Sequence, residues 1–242
     1  MKKLLLSMLS LAVLVTSVMW STQPDPEVQL WGSAVSPYVR KVISVLEEKN
    51  IPYTLHPILP TVILEATGRE VPAEFTKISP LGKIPALQVG DFAINDSSVI
   101  AAYIEKKWPE TAILPKSAED YARVLWLERY SDTVMTEVFH KILFENFVKP
   151  NELKQEADAK LVAELVGKLP TIYIYLEQQL QKSEGQYLVG SCVTVADMAI
   201  IHHFISLSLA GIAVELQEYP LLSKYVEHVQ MLPSIQAARS KI

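Results

Sequence analysis

The stretch from Val28 to Leu55 limits what this chain can fold into more than any other. Val28, Gln29, Leu30 and Trp31 form a short β-prone run closed by Gly32. Ser36-Pro37 then puts an N-cap residue ahead of a proline at the first helical position. Val39, Val42, Ile43 and Leu46 recur at i, i+3, i+4 and i+7, while Arg40, Lys41, Glu47 and Glu48 turn the other way. That is an amphipathic helix, with Arg40 and Lys41 expected on its solvated side. Asn50 ends it, and residues 51–55, IPYTL, read as a second strand. A strand–helix–strand order over so few residues demands a parallel pair joined by a right-handed crossover.

The remaining residues up to 107 complete one domain. Residues 57–80 are looser, with a short helix expected over 72–78. Residues 85–89 and 92–94 read as short strands around Gly90-Asp91, a hairpin turn. Asn95-Asp96-Ser97 caps a helix running to about Lys107. The first domain, 27–107, is therefore βαβ followed by ββα. Residues 108–116 carry two prolines and read as a linker.

Beyond the linker, 117–242 is expected to be all-helical. Tyr121, Val124, Leu127, Ser131, Val134, Val138 and Ile142 trace one stripe at helical spacing. A second helical region over 151–182 meets Pro170, which must kink it or split it. Thr194-Val195-Ala196-Asp197 is a capping box, with Val193 and Met198 at the spacing of a hydrophobic staple. Shorter helices begin near Pro220 and Pro233. The fold class is α/β followed by all-α.

Composition excludes several functions. Net charge is −5 and no basic tract is present, which argues against a nucleic-acid partner. A lone cysteine, Cys192, rules out an internal disulfide framework and a zinc site built on several thiolates. It is expected to be a buried structural thiol. His202 and His203 are adjacent rather than i, i+4, so they cannot share a face as ligands, and no metal site is expected.

At the N-terminus, Lys2 and Lys3 precede an uncharged, mostly apolar run over 4–20. Residues 1–23 read as a signal peptide or as a membrane anchor, giving an exported, periplasmic or inner-membrane-anchored protein. A start at Met19 would instead make the chain cytoplasmic. Sequence leaves these three open.

Three motifs carry a resemblance to a known family. "SPYVRKVISVLEEKNIPY" is similar to the active-site strand-to-helix turn of the cytosolic-type glutathione S-transferases, in their serine-type, bacterial-like form. "SPLGKIPALQVGDFAINDSSVIAAYI" resembles that family's glutathione-binding core, and "YLVGSCVTVADMAI" its helical-domain capping box. The resemblance spans about 28–242. It implies a thioredoxin-like N-terminal domain, glutathione as co-substrate with no metal, and a homodimer.

The resemblance also implies roles. Ser36 becomes the catalytic serine, at a helix N-terminus that favours a thiolate; Ser33 is the rival hydroxyl, and helix capping is the alternative role. Lys83, Ile84, Pro85, Asp96 and Ser97 become the glutathione-binding residues, with a cis Ile84–Pro85 bond; for Lys83 a solvated surface position is the equal alternative. Asp96 and Ser97 serve the γ-glutamyl end or simply cap their helix. Arg69 is a weaker candidate for the glycine carboxylate. Tyr38, Trp126, Tyr130 and Met135 become candidates for an apolar electrophile pocket, or ordinary core. A serine where related proteins carry cysteine cannot form a mixed disulfide, so transfer to an electrophile is favoured over disulfide exchange. The implied activity is attack of glutathione thiolate on small hydrophobic electrophiles, as in detoxification. Its alternatives are glutathione-dependent peroxidase or lyase chemistry on the same site, or a catalytically silent ligand-binding or interaction protein.

Overall fold

The computed structural model describes residues 27–183 and 186–242. The run at 4–20 lies outside them. Among the described residues no helix is long and apolar enough to cross a membrane.

The opening strand–helix–strand forms as its pattern demands. β1 (Val28–Trp31) pairs in parallel with β2 (Thr54–His56) across α1 (Pro37–Glu48). The expected hairpin is β3 (Ala86–Val89) and β4 (Phe92–Asn95), antiparallel to each other, and β3 also lies antiparallel to β1. The sheet order is β2-β1-β3-β4. Between β2 and β3 come α2 (Thr61–Ala66) and α3 (Ala73–Ile78); α2 falls where the sequence reads as loose chain. α4 (Ser97–Lys107) closes the domain.

Alternation along the strands assigns the two faces of the sheet. Leu30 and Leu87 face α1 and the large core, while Trp31 and Ala86 face Phe75 and Ile78 of α3. Val39, Val42, Ile43 and Leu46 of α1 are fully buried, each contributing about 1.5–3 kcal/mol of hydrophobic stabilisation. Arg40 and Lys41 are buried too, contrary to their expected place in solvent. The reason is the second domain, which covers that side of α1 with α9 (Val195–Leu209) and α11 (Pro233–Arg239).

The helical domain begins with α5 (Ala118–Tyr130) and then departs from simple periodicity. Ser131–His140 (π1) and Phe144–Leu153 (π2) wind with wide i→i+5 turns, separated by α6 (Lys141–Leu143). Of the expected stripe, Val124, Leu127, Ser131, Val138 and Ile142 are buried; Tyr121, in the first turn of α5, and Val134, within the wide turns, are exposed. α7 (Ala159–Val166) and α8 (Leu169–Ser183) follow, and Pro170 sits one residue into α8, so it splits the region rather than kinking it. The capping box of Thr194 and Asp197 opens α9, both halves formed, and α10 (Pro220–Val229) precedes α11. Cys192 is exposed, not buried, because it lies in the turn ahead of that box.

Candidate active site

Strand register gathers the sequence motifs at one end of the sheet. Trp31 pairs with Ala86, and Ala86 with Asn95. Gly32 after β1, Pro85 before β3 and Asp96 after β4 therefore leave the sheet side by side. Gly32 has φ 153°, and a Cβ there would lie 2.5 Å from Val39 Cγ2 and 3.4 Å from Ile84 Cβ. Only glycine lets the chain turn this closely beneath α1.

Ser36 stands at the N-cap of α1 in extended backbone, but its side chain makes no capping hydrogen bond. Pro37 has no N–H, and the N–H groups of the next helical residues have no intrahelical acceptor. The start of α1 thus offers one hydroxyl and a set of unspent amide donors. Ser33 differs: its hydroxyl accepts from Val35 N at 3.3 Å. Ser36 Oγ therefore accepts no capping bond, while Ser33 Oγ accepts one in its own turn and keeps its O–H free to donate.

The turn itself is held by Arg40. Its guanidinium donates to the carbonyls of Ala34 and Val35, both at 2.7 Å, and to His202 O and Ser206 Oγ at 2.8 and 2.6 Å. Its Nε reaches His202 Nδ1 at 3.4 Å, while His202 Nε2 is 2.8 Å from Ser44 Oγ. Nδ1 thus accepts and Nε2–H donates, the tautomer of a neutral imidazole. Burial, and then the nearby Arg40 charge, holds His202 well below the ordinary histidine range. Burial also pushes Arg40 down to about 9, which leaves it charged at neutral pH. Among the described residues no carboxylate pairs with Arg40; carbonyl and hydroxyl dipoles surround its charge, and they include the two peptide groups just before Ser36.

Lys41, one residue on, joins the domains by charge. Its Nζ lies 2.7 Å from Asp132 Oδ2 and 3.1 Å from Glu128 Oε1, with Ser98 Oγ at 3.2 Å. Ser98 in turn donates to Asp132 Oδ2 at 2.9 Å. This buried pair of carboxylates around one ammonium pins α1, α4, α5 and π1 together.

A cavity of about 380 Å³ opens in front of Ser36. The thioredoxin-like domain lines it with Ser33, Ser36, Tyr38, Lys83 and Ile84, and with Leu59, Pro60, Val62 and Ile63 around the start of α2; the helical domain adds His140, Leu143, Phe144 and Val148. Tyr38 has its hydroxyl 2.6 Å from Thr136 Oγ1, and Thr136 donates onward to Ser131 O, so the phenol is the donor of the first bond. Burial, the larger effect, pushes Tyr38 up to about 12, so it stays a neutral phenol.

Of the residues singled out in sequence, Ser36, Tyr38, Lys83 and Ile84 meet in this cavity. The Ile84–Pro85 bond is cis, and Pro85 is buried. Asp96 caps α4, its Oδ1 accepting from Ser98 N at 2.9 Å and Val99 N at 3.3 Å, in a left-handed conformation with φ 73°. A non-glycine residue held there is strained. Ser97 is buried beside it. Trp126 and Tyr130 are elsewhere. Trp126 is 59% exposed and donates to Tyr175 OH, and the Tyr130 ring lies tilted against Tyr175 of α8, centroids 4.3 Å apart. Met135 is fully buried core, and Arg69 pairs on the surface with Glu152 at 2.8 Å. Among the described residues no group of metal-ligating side chains is assembled.

Sequence reasoning missed the rest of the apolar wall. The run PTVIL at 60–64 was a signal for α2. Thr136, His140, Phe144 and Val148, spaced by four, were a signal for the opposite wall, hidden because a 3.6-residue period does not keep them in register.

A four-stranded thioredoxin-like sheet, followed by a helical domain that walls in the first helix N-terminus, defines the class. Family models of the glutathione S-transferase N-terminal and C-terminal domains match residues 35–107 and 136–241. A glutathione S-transferase of Hyoscyamus muticus is 32% identical over 178 residues, covering 72% of this chain and 78% of that one. Glutathione S-transferase 3 of Zea mays is 31% identical over 175 residues, covering 70% and 73%. Among solved structures, glutathione S-transferase-I bound with lactoylglutathione superposes with a TM-score of 0.76 at 26% identity, covering 90% of this chain and all of that one. The chain belongs to the glutathione S-transferase family.

Proposed function

We propose that the protein is a serine-type glutathione transferase that activates the glutathione thiol for attack on small hydrophobic electrophiles. One observation carries this reading: the Ser36 hydroxyl, free of any capping bond, at the start of α1 and on the wall of the cavity. A thiol of ordinary pKa, about 8.5, is mostly protonated at neutral pH. A hydroxyl donor and the positive end of a helix both favour the thiolate, and the proton leaves to water. Lys83, Ile84, Pro85, Asp96 and Ser97 hold the peptide. The Ile84 backbone faces the cysteinyl part, while Ser97 and the α4 amides take the γ-glutamyl carboxylate and Asp96 its ammonium. Tyr38, with the apolar residues around α2 and π2, houses the electrophile.

Adding glutathione to the pure protein tests this. We expect the ultraviolet absorbance of a thiolate on binding at neutral pH, and turnover of a generic aryl halide. Binding without thiolate or turnover would mark a silent glutathione-binding protein instead.

The same reading extends to partners and location. Phe92, Val99, Leu125 and Val134 expose apolar side chains on β4, α4, α5 and π1, a supply of surface for a homodimer that light scattering would detect. Residues 4–20 direct the chain to or through a membrane, and a reporter fused after Gln23 that stays cytosolic would refute that.

A further inference from the structure

A second cavity, of about 310 Å³, lies wholly within the helical domain, between α9, α10, α11 and the loop that leads into α10. It shares no lining residue with the cavity in front of Ser36, and none of Phe92, Val99, Leu125 and Val134 reaches it. Neither glutathione chemistry nor the homodimer reading makes use of it. Its volume falls at the lower end of the range for small-molecule pockets, about 300–1,000 Å³.

Floor and rim differ in chemistry. Ile201, Phe204 and Ile205 of α9 and Leu216 of the loop form the floor, and all four are buried. α9 is apolar and buried along nearly all of its length, so it shows an apolar face wherever a neighbouring helix stops short of it. The rim carries two formal charges, Arg239 near the end of α11 and Glu227 on α10, both exposed. They line one cavity, yet among the described residues neither takes part in an ion pair, with the other or with a third group. Glu227 accepts only from Ser223 Oγ, at 3.3 Å.

We propose that this cavity binds an apolar α-amino acid, its carboxylate on the Arg239 guanidinium, its ammonium on the Glu227 carboxylate and its side chain on Ile201, Phe204 and Ile205. The charges on the rim select for such a molecule. An anion alone meets Glu227 and a cation alone meets Arg239, and each is repelled by the like charge. A neutral apolar molecule leaves both rim charges unmet. A zwitterion satisfies both, and a planar carboxylate suits the guanidinium fork. An aromatic or branched aliphatic side chain then takes the apolar floor out of water. The site goes beyond the transferase reading and does not depend on it.

The test titrates the full chain with L-phenylalanine in a calorimeter, with and without S-hexylglutathione to fill the cavity in front of Ser36. Two analogues that each lack one charge, 3-phenylpropanoate and phenethylamine, are titrated alongside. Phenylalanine should bind equally well with S-hexylglutathione present, and each analogue about tenfold or more weakly. Arg239→Gln and Glu227→Gln should each weaken phenylalanine about ten- to hundredfold, the scale of one hydrogen-bonded charge. Arg239→Lys, which keeps the charge, should weaken it less. Both side chains are exposed, so the variants should keep the wild-type melting temperature. No binding up to about 10 mM overturns the proposal. So does displacement of phenylalanine by S-hexylglutathione, which would put it in the cavity in front of Ser36. Wild-type affinity, to within twofold, in either glutamine variant overturns it as well. An analogue that binds as tightly as phenylalanine does the same, because a single charge would then suffice.

Discussion

On the thioredoxin-like side of the cavity, Ser36 sits in a turn fixed by strand register, by the close fit at Gly32 and by an Arg40 fork on the two preceding carbonyls. On the facing side, Leu143, Phe144 and Val148 are held by apolar packing of π1, α6 and π2, with the Tyr38–Thr136 hydrogen bond as a polar tie across to α1. The difference teaches how labour is divided. Thiol chemistry needs a donor held to within a fraction of an ångström, which backbone and charge provide. An electrophile wall needs shape, which side chains can change without unmaking the turn.

The buried bases on α1 hold the two walls together, so removing them is the strongest way to break the comparison. Lys41→Met leaves Glu128 and Asp132 buried with no counter-charge. Breaking a buried pair in this way costs about 3–5 kcal/mol. Denaturant unfolding should show that loss. A stability within about 1 kcal/mol of wild type would mean that the carboxylates reach water and the walls are joined by packing alone.

Arg40→Lys keeps a positive charge but loses the fork. Lysine cannot serve the carbonyls of Ala34 and Val35 together with His202 and Ser206. Stability should fall by about 2 kcal/mol, the scale of one or two charged hydrogen bonds. The turnover number should fall as well, because the Ser36 turn loosens. Unchanged turnover at reduced stability would separate the turn from the chemistry.

A smaller effect comes from acid. Burial, followed by the charges around it, pushes His203 down to about 3, and His202 also lies well below the ordinary value of 6.5. Between pH 6.5 and that floor the unfolded chain binds protons that the folded chain refuses. Stability is thus complete above about pH 7 and declines as pH falls, by at most about 1.4 kcal/mol per pH unit for each histidine. Melting temperatures from pH 7.5 to 5 should follow that slope. A flat profile would show that these rings charge without unfolding, and that α9 against α1 is looser than its packing implies.

The first wall was legible in the sequence and the second was not, for a physical reason. Crossover and cap signals are local, so Ser36-Pro37 and Asp96-Ser97 were legible as helix starts, while the part of Ile84-Pro85 came from the family resemblance alone. Arg40 and Lys41 misled because amphipathicity tells which face of a helix is polar, not whether another domain will bury it. Trp126 and Tyr130 misled because they turn from the regular helix α5 toward Tyr175 of α8, away from the cavity. His140 and Phe144 went unnoticed because a 3.6-residue stripe carried across 131–153 assumes turns that the chain does not make there.

The most direct measurement is the pH dependence of conjugation, and of thiolate absorbance in the glutathione complex, for wild type, Ser36→Ala and Ser33→Ala. Ser36→Ala should raise the pKa of the bound thiol and cut turnover about ten- to hundredfold, the worth of one hydrogen bond to a charged group, with little loss of glutathione affinity. Ser33→Ala, which removes a hydroxyl that lies before the N-cap and accepts from Val35 N in its own turn, should change far less. A Ser36→Ala protein with wild-type turnover and pH profile would contradict the account, and if Ser33→Ala lost both, the reacting hydroxyl would be Ser33.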